Sequence, residues 1–267
     1  MKRVLAGLKS VIKKSGLLPS FKVREKLAAK YLHGAGLEIG ALHFPQKVPR
    51  GAVVKYVDYA TREENIRKFP ELAAAAIVET DYIENGFELA SLPAGSQDFI
   101  IANHVLEHAE NPIRVLLNWG RLLRPEGVLM VTVPVAERCF DEGRPQTTLE
   151  HLKEDHRQAE TGELRQLRER NREHFVEFLE VSVPNDLRNK GGLVPELSES
   201  CRTARLAELI ASERADMHFH TFSIESYRGF VEYFVTCCAT DLSVREVRRS
   251  RGGAEVVAIL QKLRQPA

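Results

Sequence analysis

DFIIANHVLEHAENPIRVLLNWGRLLRPEGVLMVTVP, residues 98–134, is the stretch on which the fold turns. Asp98–Ala102 is a short apolar run without alternation, as expected of a strand buried on both faces of a parallel sheet. Asn111 can cap a helix and Pro112 can fill its first turn. Ile113, Leu116, Leu117, Gly120 and Leu123 then recur at helical spacing. Arg124-Pro125-Glu126-Gly127 closes that helix, and Val128–Val133 is a second buried strand, stopped by Pro134. Two such strands joined by a helix of this length make a right-handed βαβ unit.

Working outward, the same alternation continues toward the N-terminus. Ala35–Gly40, Ala52–Asp58 and Ile77–Asp81 read as short strands, and Thr61–Phe69 as a helix with Thr61 as cap and Glu64 three residues on. Toward the C-terminus, residues 135–216 are dense in charge and poor in strand signals. Thr147-Thr148-Leu149-Glu150 resembles a capping box, Gly162 breaks the helix it opens, and a second helix follows. Pro184 to Pro195, with Gly191-Gly192, reads as a loop. Ser223 can cap a helix running to about Val235. Leu242–Val247 and Glu255–Leu260 are strands whose short connection implies an antiparallel hairpin. The expected architecture is α/β: a Rossmann-like, mostly parallel sheet with helices on both faces, an antiparallel C-terminal hairpin, and a helical insertion after strand five. The expected division is a basic helical arm, 1–34, and one domain, 35–267, in which 135–216 is a helical insertion on the substrate side.

Composition narrows the function classes. The chain has 267 residues, 43% hydrophobic and 28% charged, with a net charge of +1. That is ordinary for a globular domain with a full core. The charge is unevenly placed: residues 1–34 hold nine Lys and Arg against Glu25 alone, so the remaining chain carries a net −7. An acidic body without a basic groove argues against nucleic acid as a partner. Residues 2–14 and 21–32 read as two helical segments. They suit either a cover packed on the domain or a surface element contacting anionic lipid or a partner protein. The four cysteines contain no CxxC pair and read as reduced thiols of a cytoplasmic protein. Lysines interrupt the N-terminal apolar positions, so no signal peptide is expected, and no run is long enough to span a membrane. The expected place is thus the cytoplasm, with the arm suited to the inner face of the membrane.

In an open parallel sheet, ligands bind at the carboxyl ends of the strands. Strand one ends in Glu38-Ile39-Gly40, where glycine admits a ligand to the backbone and the acid can hold a cationic group. Strand two ends in Asp58, 18 residues after Gly40, suited to a ribose diol. Strand three ends in Asp81, with Tyr82 and Ile83 beside it, an acid and apolar neighbours suited to an adenine. Strand four ends in Asn103-His104, with Glu107-His108 following. Acids at three successive strand ends point to a nucleoside-containing ligand.

The pattern LEIG … VDY … ETDY … DFIIANHVLEH … LLRPEGVLMVTVP resembles the class I S-adenosylmethionine-dependent methyltransferases, over about residues 35–134 plus the terminal helix and hairpin. The resemblance implies a seven-stranded sheet whose last strand is antiparallel and lies between strands five and six. It implies S-adenosylmethionine as cofactor. Glu38, Gly40 and the adjoining Ala41 match the segment beside its methionine part. Asp58, with Tyr59, matches the ribose-binding acid. Asp81 and Tyr82 match the adenine-binding pair, and Asn103 and His104 the segment bordering cofactor and substrate. One departure stands out: the first motif usually runs acid-x-Gly-x-Gly-x-Gly, and here the later glycines are missing from Gly40-Ala41-Leu42-His43-Phe44-Pro45. The chain also looks similar to methyltransferases encoded among bacterial glycan-assembly enzymes.

Methyl transfer to a hydroxyl calls for a base, and histidine is the natural one near neutral pH. His151 and Asp155 share a helix face, as a base oriented by a carboxylate. His218 and His220 flank Phe219, and in an extended segment would point to one side. These four are the candidate catalytic residues. Arg144 is a candidate contact for an anionic substrate group, and His108 a further substrate contact. No metal site is expected, since no closely spaced ligand set is seen. The charged insertion favours a small polar acceptor such as a sugar or nucleotide-sugar. N-methylation of a small amine or a protein is the second reading, and a non-catalytic module docked through residues 1–34 the third.

Overall fold

The computed structural model describes residues 17–72, 76–196, 198–211 and 217–264. The helical segment expected at 2–14 lies outside the described residues. Seven strands build one sheet: β1 (Ala35–Ile39), β2 (Val53–Asp58), β3 (Tyr82–Ile83), β4 (Gln97–Asn103), β5 (Leu123–Pro134), β6 (Leu242–Arg249) and β7 (Glu255–Lys262). Their order is β3-β2-β1-β4-β5-β7-β6. All neighbouring pairs are parallel up to β5, whereas β7 runs antiparallel to both β5 and β6. This is the expected mixed sheet, with β7 between β5 and β6.

The reason β4 and β5 show no alternation is visible in their packing. Phe99 and Ile101 face Leu27, Ala28 and Leu32 around α1 (Leu17–Tyr31), together with Val128, Met130, Val257 and Ile259. Ile100 and Ala102 face the opposite way, into a cluster holding Leu116 and Trp119 of α3 (Pro112–Leu122) and Phe230 of α8 (Ile224–Tyr233). Helices on both faces leave no wet side, so polar alternation has no place. Gly36 admits a close approach of β4: a Cβ there would stand 2.2 Å from the Phe99 carbonyl oxygen.

Local signals set most element ends. Asn111 Oδ1 accepts the Arg114 amide at 3.0 Å, capping α3 with Pro112 in its first turn. Thr61 and Glu64 form a reciprocal capping box on α2 (Arg62–Lys68). Gly162 ends α4 (Leu149–Thr161) in the left-handed conformation at φ 77°. The α4 cap is Thr148, which accepts from the His151 amide, one residue later than the expected box. Thr147 instead takes the Thr221 amide at 3.0 Å. The insertion continues through α5 (Leu164–Glu177), a π turn (Phe178–Ser182), α6 (Val183–Asn189) and α7 (Glu199–Ala211). The expected loop from Pro184 is thus corrected: Pro184 lies within α6, directly after the π turn, and irregular chain begins only after Asn189.

A second correction concerns strand three. It is Tyr82–Ile83, not Ile77–Asp81. Asp81 takes both β2 groups that the upstream residues would have needed. Its amide donates to the Tyr56 carbonyl and its Oδ2 accepts the Tyr56 amide. Pairing therefore begins only at Tyr82, and the edge strand stays short. Among the described residues no helix is long and apolar enough to cross a membrane.

Candidate functional site

Glu38, Gly40, Asp58, Asn103 and His104 meet at the carboxyl ends of the neighbouring strands β2, β1 and β4. Glu38 is enclosed, at 1% exposure. Its two oxygens accept the Gln46 amide at 3.0 and 2.9 Å, and Oε1 faces Asn103 Nδ2 at 3.4 Å. Burial pushes its carboxyl up to about 7, with those hydrogen bonds opposing the rise. Asn103 Oδ1 is held by Thr132 Oγ1 at 2.7 Å, which fixes the amide's orientation.

The loop after Gly40 is built without its missing glycines. Gly40 has φ 66°, donates to the Val57 carbonyl, and has only Val105 Cγ2 near a notional Cβ, at 3.4 Å. Leu42, at the place of the motif's second glycine, is held at φ 46°. Its carbonyl takes the Val78 amide at 2.9 Å, so the loop keeps a glycine-like turn against the backbone preference of leucine.

Asp58 is half-buried, its Oδ1 on the Ala60 amide at 3.1 Å, and burial raises its carboxyl despite that contact. Asp81 and Tyr82 are placed differently from the expectation. Asp81 precedes β3, level with Tyr56 rather than Asp58, and its carboxylate is turned onto backbone. Tyr82 directs its hydroxyl to Lys55 at 3.2 Å, and Tyr59 pairs with Lys68.

Next to this edge stands a web of buried charge. His104, at φ 56°, puts Nε2 2.9 Å from Glu255 and Nδ1 3.7 Å from Glu107. Glu255 also faces Arg24 of α1 at 3.2 Å. Glu107 is fully buried and, among the described residues, neither carboxylate oxygen has a hydrogen-bond partner. His218 Nε2 lies 3.8 Å from Glu107, and its Nδ1 is 2.5 Å from Asp141 Oδ2. Burial would raise the Asp141 carboxyl, but the His218 ring, the Ser182 hydroxyl at 2.7 Å and the Arg144 guanidinium hold it well below the usual carboxylate range.

Arg144, expected to meet an anionic substrate, is corrected by its surroundings. Its side chain is fully enclosed and its donors are committed to Asp141, Glu177 and the carbonyls of His218 and Phe219. His108 also turns inward, onto the Met217 carbonyl at 2.8 Å, with its ring centroid 4.7 Å from that of His218 in an edge-on arrangement.

His218 and His220 do not point to one side. The Phe219 and His220 amides both donate to the Glu107 carbonyl, at 2.8 and 3.2 Å. Consecutive amides of an extended strand point opposite ways, so the chain must turn here and the two rings part. His218 goes to Asp141. His220 goes to a second group with His151, Asp155 and His174. There His151 Nε2 is 3.0 Å from Asp155 Oδ2 and 2.9 Å from His174 Nε2, and His220 Nε2 is 4.0 Å from Asp155. Burial, then the neighbouring rings, drives His174 down to about 2, and burial drives His220 down to about 4. Both imidazoles are therefore neutral at pH 7.

Glu107, Asp141, His174, Ser182 and Glu255 escape the sequence reading as site residues. Their partners lie 41 to 151 positions away in most pairs, and no local spacing announces them. The only hint is the FDEGRP phrase directly after β5, which contains Asp141.

A family model described as a methyltransferase domain matches residues 33–234, well over half of the chain. None of the curated proteins matches this chain. Among solved structures, the chain is similar to a SAM-dependent methyltransferase from Aquifex aeolicus at 10% identity and TM-score 0.44, covering 96% of this chain and 98% of that one. It is similar to a putative S-adenosylmethionine-dependent methyltransferase from Listeria monocytogenes at 10% identity and TM-score 0.48, covering 93% and 99%. The plantazolicin methyltransferase BpumL in complex with SAH aligns at 11% identity and TM-score 0.45, covering 98% and 90%. The family match, not these distant likenesses, carries the assignment.

Proposed function

We propose, for a chain that belongs to the class I S-adenosylmethionine-dependent methyltransferase family, that it methylates a hydroxyl of a sugar, nucleotide-sugar or other small polar acceptor. Methyltransferase activity with S-adenosylmethionine as cofactor follows from the family; the acceptor and the base are our reading. The strand-end residues suit that cofactor: an enclosed carboxyl at Glu38, a second acid at Asp58, and a Gly40 backbone with room beside it. We assign Glu38, Gly40, Ala41, Asn103 and His104 to its methionine side and Asp58 with Tyr59 to its ribose. Asp81 and Tyr82 would need their Tyr56 and Lys55 contacts exchanged to meet an adenine.

The bound cofactor supplies an electrophilic sulfonium methyl. The chain's part is to place the nucleophile and take its proton. The observation that carries the reading is the Asp141–His218 pair. A proton on Nδ1, held by Asp141, leaves Nε2 as an acceptor. Nε2 and Glu107 stand 3.8 Å apart, too far for a hydrogen bond, so a donor group entering between them meets two acceptors. The insertion offers a groove whose walls include Arg172, Glu180, Arg188, Glu199 and Arg202, charged groups suited to a polar acceptor. Its π-turn wall is continuous with Ser182, which grips Asp141.

The unpartnered Glu107 carboxylate also suits an amine, so N-methylation stands as the second reading. A panel of sugar, nucleotide-sugar and amine acceptors, with the methylated atom located by mass spectrometry, separates them. His218→Ala should lower kcat by about 10²–10⁴-fold at pH 7 while S-adenosylhomocysteine binds as before. An unchanged kcat removes His218 as base; activity on amines alone removes the hydroxyl reading. Within residues 1–34, α1 packs on the sheet through Leu27 and Ala28; we assign the docking role toward anionic lipid or a partner to the residues before it. Vesicle co-sedimentation that is unaltered by removing residues 1–16 would exclude the lipid half.

A further inference from the structure

We infer that His151, Asp155, His174 and His220 form a metal-binding site, with Zn²⁺ as its ion, that staples the helical insertion to the segment carrying His218. The four residues come from α4, α5 and the 217–222 segment, yet one ligand atom from each lies within 4.8 Å of all the others. The site is closed: Asp155, His174 and His220 are buried, and only His151 reaches the surface. Four protein ligands in an enclosed setting is the pattern of a structural rather than a catalytic zinc.

As a purely protein cluster the group is poorly satisfied. Among the described residues Asp155 Oδ2 accepts no hydrogen bond, its closest ion-pair contact being His151 at 3.0 Å, while the outer ring nitrogens His174 Nδ1 and His220 Nδ1 have no hydrogen-bond partner. His151 Nε2 and His174 Nε2 face each other at 2.9 Å and can share only one proton. Buried polar groups are ordinarily paired, so an under-satisfied carboxylate oxygen beside two imidazole nitrogens that face each other calls for something between them. A cation among three imidazoles and a carboxylate meets that need.

The distances fit with little movement. Tetrahedral bonds of about 2.0 Å put neighbouring donors roughly 3.3 Å apart. Two of the contacts are 2.9 and 3.0 Å; His220 Nε2 would leave the Glu110 carbonyl, 3.3 Å away, and close its 4.0 Å gap to Asp155 by a ring shift. Outer groups are in place as well. Arg170 Nε holds Asp155 Oδ1 at 2.7 Å, leaving Oδ2 for the ion, and Glu177 stands 4.0 Å from His174 Nδ1, where it can orient the ring. The donor set, three imidazoles and one carboxylate, suits Zn²⁺. Binding ties α4 and α5 to the 217–222 segment, two residues from the Asp141–His218 pair.

The test uses the full chain, stripped with a chelator and titrated with Zn²⁺ alone. One ion per chain should bind, with a higher melting temperature and slower proteolysis within residues 149–220. His174→Ala and His220→Ala should each weaken Zn²⁺ binding at least about 100-fold, and His218→Ala should leave it unchanged. Because an alanine variant can fail to fold, Co²⁺ in the unaltered chain gives an independent reading: d–d bands of a tetrahedral nitrogen and oxygen site. No uptake, uptake undiminished in folded His174→Ala and His220→Ala chains, or a thiolate-to-cobalt charge-transfer band would each overturn the assignment. None of these readouts depends on which acceptor is methylated.

Discussion

Replacing Glu38 with Gln tests the cofactor-side geometry through pH. In the folded chain, burial lifts this carboxyl from 4.5 to about 7, against the opposing amide contacts from Gln46 and Asn103. The folded state thus holds the proton more tightly than the unfolded state. Its contribution favours folding at low pH, is lost as pH climbs from about 4.5, and is gone above about 7. A rise of this size corresponds to roughly 3 kcal/mol, an upper bound because water and backbone relax around the charge. Glu38→Gln keeps the shape and removes the titration. Urea unfolding of both chains from pH 4.5 to 8 cancels every other ionisable group in the difference. The variant should gain stability relative to the parent as pH rises, by 1 to about 3 kcal/mol across that window. With Glu38 assigned to the methionine side of the cofactor as proposed, S-adenosylhomocysteine should bind the parent more tightly as pH rises through 7, and the variant without that dependence. A difference flat in pH to within about 0.5 kcal/mol would refute the claim that this carboxyl is buried and strained toward its neutral form.

Three further perturbations address separate parts of the molecule. Leu42→Val should cost about 2 kcal/mol, because a β-branched residue is forced into φ 46°, while Leu42→Gly should change stability by less than about 1 kcal/mol and bind cofactor at least as well; equal losses in the two chains on thermal unfolding would contradict the strained turn. Gly36→Ala should cost at least about 3 kcal/mol, since its Cβ meets the Phe99 backbone oxygen at 2.2 Å, and a soluble chain with parental urea midpoint would disprove that contact. Asp141→Asn should cost about 3–5 kcal/mol at pH 7 by removing the buried carboxylate that pairs with Arg144 and meets His218 Nδ1, leaving Arg144 only its partly exposed partner Glu177. Because Asp141 sits below the usual carboxylate range, its stabilisation is lost as pH falls through the acid range, so the two chains should converge at low pH; a gap constant from pH 7 to 3 would count against it.

The sheet was legible because its signals are local. Apolar runs at Phe99–Ala102 and Val128–Val131, a cap at Asn111 and a hairpin at the C-terminus act within a few residues, and burial on both faces follows from them. The strand-end positions Glu38, Gly40, Asp58, Asn103 and His104 were legible for the same reason, since parallel strands bring their carboxyl ends to one edge. Strand three was misplaced because a single side chain, Asp81, competes with backbone for Tyr56, which no apolar pattern reveals. The reading of the insertion ran out where contacts become distant. His151 and Asp155 are visible as a helical pair, but His174 and His220 join them only when α4, α5 and the 217–222 segment pack together. Arg144 looked like an open cation until Asp141, Glu177 and two carbonyls enclosed it. Residue type and spacing by themselves determined the α/β sheet and the acids along its edge. Only the tertiary structure decided which histidine faces Asp141 and which faces the four-donor group, because two amides on one Glu107 carbonyl turn the chain between them.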